Sequence, residues 1–266
     1  MSILEAIILG FVQGLTEFLP VSSSGHLVIF SHLLDLDLTS DSYTAFFATL
    51  HIGTLIAVFV YYREKIKTLI NTQAKQRNLF FLKLIIVSLP VITFGAIYAV
   101  FIQSQISKEN ILVLACVSLI ISGMFFIASE LIVRNFSNFI SFETSGLWRI
   151  AAIGFFQAIA ILPGVSRSGV TITGGRILKL KKEDALDFAF IISIPVILLA
   201  GIFSLVEARG ELFQKEVLLP SLAGITASAF VGYFAIKFLI DFLKKYSIIY
   251  FGIYCILLGI FVLIFR

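Results

Sequence analysis

Gly10 to His26 reads G-F-V-Q-G-L-T-E-F-L-P-V-S-S-S-G-H, and Gly154 to Gly169 reads G-F-F-Q-A-I-A-I-L-P-G-V-S-R-S-G. At a constant offset of 144, Gly10 falls on Gly154, Phe11 on Phe155, Gln13 on Gln157, Val21 on Val165, Ser22 on Ser166, Ser24 on Ser168 and Gly25 on Gly169. Ungapped matches of this density indicate an internal duplication. The copies differ where chemistry would reside. The first carries Glu17 and His26 where the second has Ile161 and Val170, and the second carries Arg167 where the first has Ser23.

Outside these stretches the chain is apolar. Of its 266 residues 59% are hydrophobic and 14% charged, with 28 Phe and a mean hydropathy of +1.04. A soluble domain carries roughly 25% charged residues, so the composition excludes that class and indicates a polytopic membrane protein. The N-terminus lacks a basic region and carries Glu5, so no signal peptide is expected. Cys116 and Cys255 lie inside apolar runs and read as small core residues.

A helix needs about 20 apolar residues to cross the hydrocarbon. Six uncharged runs qualify: 43–62, 84–103, 111–129, 188–206, 217–236 and 246–265. Two more apolar regions are broken. Ala6 to Phe30 is interrupted by Glu17, Pro20, three serines and Gly25, and Ile150 to Ile177 by Pro163, Gly164, Arg167 and Gly174-Gly175. Proline disfavours helix in the residue before it, and the serines that follow are natural N-caps for a second half-helix. Irregular backbone at membrane depth is tolerated only inside protein or beside a wet cavity. Both regions therefore read as re-entrant hairpins, 6–31 and 150–177; the alternative is two kinked spans.

The expected fold is an all-α integral membrane protein in one membrane domain, 1–266. It holds six transmembrane helices and two re-entrant hairpins in two repeats, 1–140 and 146–266. Three spans per repeat is odd, so the repeats are expected in inverted topology, which places a site near the midplane. Basic residues test the layout. With the loop from Arg63 to Lys83 in the cytoplasm, 15 basic residues fall on that side and 4 on the other, with Arg167 the only one at membrane depth. Both termini then face outward.

Ionisable groups inside a membrane are expensive and usually functional, which singles out Glu17 and Arg167. Half-helices beginning at Ser22 to Gly25 and at Ser166 to Gly169 aim free N–H groups inward, and helix N-termini bind anions. Arg167 adds a planar fork of donors suited to phosphate, and Ser166, Ser168 and Thr171 add hydroxyls. The set reads as an oxyanion site for phosphate or diphosphate. His26 lies three residues after Ser23, on the same face if the half-helix has started, where an imidazole could activate a hydroxyl. His51, mid-span, reads as a helix-packing contact, and His32 as interfacial. Asp184 and Asp187 read as N-terminal helix charges. No P-loop, H-E-x-x-H or G-x-S-x-G motif is present.

Gln13 to His26 and L-P-G-V-S-R-S-G-V-T, Leu162 to Thr171, resemble the two signature motifs of the undecaprenyl-diphosphate phosphatase family, also called bacitracin-resistance proteins. The resemblance extends over the whole chain. It implies removal of the terminal phosphate from a polyprenyl diphosphate lipid in the bacterial plasma membrane, at a site open to the periplasmic or extracellular face. It also implies dependence on a divalent cation, Mg2+ or Ca2+. By position, Glu17, Ser23, His26 and Arg167 would be catalytic. Ser22, Ser24, Gly25, Gly164, Ser166, Ser168 and Thr171 would bind the substrate phosphates, and Glu17 with Gln13 would hold the metal. Many family members have Glu where Gln13 stands, which leaves Glu17 as the essential acid. Membrane lipids are the expected surroundings, no nucleic-acid partner is expected, and a homodimer is compatible with the reading. The competing function is a secondary transporter or lipid flippase, because inverted repeats and broken helices are also features of transporters.

Overall fold

A computed structural model describes residues 1–36, 41–101, 108–207 and 215–265. The protein is an all-α integral membrane protein. The described residues form ten helices: α1 (Ile3–Phe18), α2 (Ser23–Leu33), α3 (Asp41–Asn71), α4 (Ala74–Phe101), α5 (Lys108–Val133), α6 (Leu147–Ile159), α7 (Arg167–Ile177), α8 (Lys182–Glu207), α9 (Lys215–Lys245) and α10 (Ile249–Phe265). Helix α1 starts in a capping box: Ser2 Oγ accepts from Glu5 N, and Ser2 N donates to Glu5 Oε2. It stops two residues before Pro20, where the backbone turns extended at Leu19.

Helix directions follow from close contacts between small residues. Along α1, Gly10 meets Gly224, Gly14 meets Ser228 and Phe18 meets Gly232. Along α3, Leu50 meets Gly224, Gly53 meets Ser228 and Ala57 meets Gly232. Both helices thus run parallel to α9, and so to each other, which requires α2 between them to run back. Its residues Leu27, Phe30 and Leu34 pack in one apolar cluster with Ala6, Leu9 and Val12 of α1. In the second broken region α7 likewise returns along α6, with Gly174 against Phe156. Small residues at such crossings let helix backbones approach closely, as is usual for helices in lipid.

The corresponding helices of the two copies run antiparallel. Gly123 of α5 meets Gly252 of α10, and Cys116 meets Gly259. Lys65 of α3 meets Asp187 of α8 and Tyr62 meets Phe190, so the numbers rise along α8 as they fall along α3. The copies also exchange partners. Helix α1 packs on α9, whereas α6 packs on α4, where Gly154 lies against Val87 and Pro90.

Five described helices, α3, α4, α5, α8 and α9, are long and apolar enough to cross a membrane. The sixth expected span, 246–265, is shorter as a helix: α10 has 17 residues. Tyr246 follows the end of α9 and donates its N–H back to Phe242 O, and Ser247 Oγ accepts from Ile249 N. The expected loop from Arg63 to Lys83 is corrected. Helix continues to Asn71 and resumes at Ala74, because Arg, Lys, Glu and Gln are good helix formers and hydropathy marks only the part in lipid. Gln103, in the second expected span, lies outside the described residues. Asp184 accepts from Phe142 N, and Asp187 accepts from Tyr62 Oη and pairs with Lys65. They tie α8 to its neighbours as well as opening it.

Candidate active site

Each broken region ends in a serine-capped half-helix. Ser22 caps α2 by accepting from Gly25 N at 3.2 Å, and Ser166 caps α7 by accepting from Gly169 N at 3.2 Å. The first-turn N–H groups of Ser23 and Ser24, and of Arg167 and Ser168, have no partner within their helices. The breaks interlock. Ser24 Oγ accepts from Gly164 N at 3.3 Å, and Ser168 Oγ donates to Leu19 O at 3.1 Å. Under the 144-residue offset, Ser24 and Ser168 are equivalent, so each copy holds the other by the same hydroxyl. Gly164 has φ +91°, and a Cβ there would stand 2.1 Å from the Ala115 carbonyl oxygen. The turn and the close approach both require glycine at this position.

Glu17 is the centre of the site. It is buried near the end of α1. Oε1 pairs with Arg167 Nη2 across the interface between the copies. Oε2 accepts from Ser23 Oγ at 2.6 Å and from Gln13 Nε2 at 2.9 Å. Gln13 Nε2 also lies 3.0 Å from His51 Nδ1, and that nitrogen is 3.6 Å from Glu17 Oε2. Four groups from α1, α2, α3 and α7 thus surround one carboxylate. Ser23 and Arg167 are half-buried and Ser24 is exposed, so they form the rim that a ligand meets first, with Glu17 beneath.

The structure brings Glu17, Ser23, Arg167 and Gln13 together, and sets Ser22, Ser24, Gly25, Gly164, Ser166 and Ser168 around the two interlocked turns. Thr171 Oγ1 is buried without a hydrogen-bond partner, one turn into α7. The expected pairing of His26 with Ser23 is corrected. His26 Nδ1 donates to Ser22 O at 2.8 Å, and Nε2 accepts from Tyr254 Oη at 2.7 Å, with the two rings stacked. This fastens the left-handed Ser22, φ +68°, and α2 to α10. The proton of Ser23 points at Glu17 instead. Sequence reasoning also missed His51. It comes from a helix 34 positions beyond Glu17, and no local spacing signals it. Tyr254, on the last helix, is equally invisible.

Among the described residues no cluster of three His, Cys, Asp or Glu side chains could hold a metal by itself. The donors do fit a hard cation shared with a phosphate ligand, which needs only one or two protein oxygens. Glu17 supplies a carboxylate, and Gln13 Oε1 is buried with no partner. An acceptor left unsatisfied costs about 1–3 kcal/mol. A fully ionised diphosphate has no donor to offer it, whereas a cation or water could satisfy it.

The model of the family described as bacitracin resistance protein BacA matches residues 6–261. A protein of Chloroherpeton thalassium named undecaprenyl-diphosphatase is 36% identical over 99% of this chain and 96% of its own length. Proteins of the same name from Rubrobacter xylanophilus and Persephonella marina are each 35% identical. The alignments cover 96% and 100% of this chain, and 94% and 99% of those relatives. A family match from residue 6 to 261, with relatives about 35% identical along nearly the full length, places the chain in the bacitracin resistance protein BacA family.

Proposed function

We propose that this chain is a membrane phosphatase that hydrolyses undecaprenyl diphosphate to undecaprenyl phosphate and inorganic phosphate, recycling a carrier lipid for cell-wall synthesis. The observation that carries the reading is the 2.6 Å hydrogen bond from Ser23 Oγ to buried Glu17, beside Arg167 and two facing half-helix N-termini. A hydroxyl aimed at a carboxylate is an activated nucleophile. It belongs to an enzyme, since a transport site needs no nucleophile. The names of the relatives support the same activity.

A diphosphate repels nucleophiles, so its hydrolysis rests on positioning and charge neutralisation. Arg167 meets Glu17 through Nη2, and its remaining N–H groups face the terminal phosphate together with those of Ser23, Ser24 and Ser168. Ser23 Oγ attacks the terminal phosphorus. As that bond forms, the bridging P–O bond breaks, undecaprenyl phosphate leaves, and Glu17 takes the serine proton. Glu17 then releases this proton to solvent; as water attacks the phosphoserine, Glu17 takes a proton from the water and passes it to Ser23 Oγ as the P–Oγ bond breaks, freeing inorganic phosphate and restoring the serine. A divalent cation, Mg2+ or Ca2+, held by Glu17 and Gln13 Oε1 would supply charge neutralisation on the diphosphate. Purified protein in detergent, with no sealed compartment, should release phosphate from undecaprenyl diphosphate. Transport without any hydrolysis would overturn the assignment.

The same reading makes the copies inverted-topology repeats with re-entrant hairpins and an outward-facing site. The antiparallel pairs α5–α10 and α3–α8 and the basic asymmetry support it. A single cysteine at position 72, with Cys116 and Cys255 replaced, should resist impermeant reagents in intact cells. Labelling there would reverse the orientation.

A further inference from the structure

We propose that His51 is a positioning residue that fixes the orientation of the Gln13 amide, and through it one face of Glu17. Arg167 pairs with Glu17, so the carboxylate is ionised and can only accept hydrogen bonds. Whatever part of Gln13 faces Oε2 at 2.9 Å must therefore donate, which assigns Nε2 to that side. An amide nitrogen has two hydrogens. The second points to His51 Nδ1 at 3.0 Å, so that ring nitrogen accepts and the imidazole carries its proton on Nε2. The contact of 3.6 Å between His51 and Glu17 is then a neighbour relation held through Gln13 and not an ion pair.

The same assignment turns the Gln13 carbonyl away from both acceptors. That oxygen is buried and has no partner, although Gln13 is fully enclosed. An amide free to rotate would swap its ends and satisfy the oxygen elsewhere. Glu17 forbids the swap, because an ionised carboxylate can only accept, and His51, by accepting the second amide hydrogen, holds the plane of the amide. His51 thus keeps one free acceptor, Gln13 Oε1, ready for a cation or water arriving with a phosphate ligand. Groups that orient direct ligands in this way are typically worth 10–100-fold in affinity or activity.

Three variants of the full chain in detergent test the assignment, and its kinetic arm rests on the phosphatase reading. His51→Leu removes the acceptor and should lower kcat by about 10–100-fold, with KM within about threefold. His51→Asn places an amide oxygen near the position of Nδ1 and should recover most of the loss. A double variant with Gln13→Leu should be no worse than Gln13→Leu alone, because both break one device. The second readout does not depend on turnover. With 15N-labelled histidine, of which the chain has three, His51 should show an unprotonated Nδ1 that shifts on Gln13→Leu. An Nδ1–H tautomer, a His51→Leu variant with normal kcat, or failure of His51→Asn to rescue would each overturn the proposal. A wild-type protein that releases no phosphate but shows the expected 15N pattern would refute the phosphatase reading and leave the positioning intact.

Discussion

At the first break Ser22 closes α2 on Gly25; at the second Ser166 closes α7 on Gly169, over the same 3.2 Å. Beyond these caps the regions diverge. The first break holds Ser22 in the left-handed region at φ +68°, whereas Ser166 is extended at φ −81°. The first has Glu17 with Ser23, Gln13 and His51 around it; the second has Ile161 at the corresponding position and contributes Arg167. Gln157, the counterpart of Gln13, has neither amide atom satisfied. The caps and cross-bonds preserve the scaffold in both copies, while Glu17 and Ser23 are confined to one and Arg167 to the other. Duplication supplies two capped half-helices, and divergence sets different side chains on them.

A large effect should come from breaking the charged link that joins the copies at the site. Arg167→Lys keeps a positive charge but loses the planar fork, and turnover should fall by roughly 10²–10³-fold. Near-normal turnover would make Arg167 a countercharge to Glu17 and nothing more. A smaller effect sharpens the contrast between the glutamines. Gln157→Leu removes two buried, unpartnered polar atoms, so phosphate release should be unchanged and thermal stability equal or higher by about 1 kcal/mol. A tenfold loss of turnover there would mean that the second copy has a chemical role beyond Arg167 and its helix terminus.

Much of this division was legible in the sequence. The duplicated G-F-x-Q and V-S-x-S-G positions located both breaks, and Pro20 and Pro163 with the serines after them marked where helices stop and restart. Glu17 and Arg167 stood out because charge at membrane depth needs a reason. What the sequence hid is set by contacts across the break and between distant helices. Ser23 and His26 are one turn apart, so spacing paired them. In the structure the ring of His26 instead meets the Ser22 carbonyl and Tyr254, 228 positions away. Glu17 precedes Ser23 by six residues across an irregular turn, a separation for which no periodicity predicts contact. His51 reaches Gln13 only because α1 and α3 run parallel, which depends on α2 running back between them.

The proposed nucleophile is Ser23, aimed at Glu17. Acid-quenching the purified protein during turnover of undecaprenyl diphosphate labelled in its terminal phosphate tests this directly. Wild type should carry labelled phosphate on Ser23, and Ser23→Ala should bind substrate yet fall to background turnover with no label. Substantial turnover by Ser23→Ala, or wild type with no label at any quench time, would contradict the covalent route and leave water, activated by Glu17, as the attacking group.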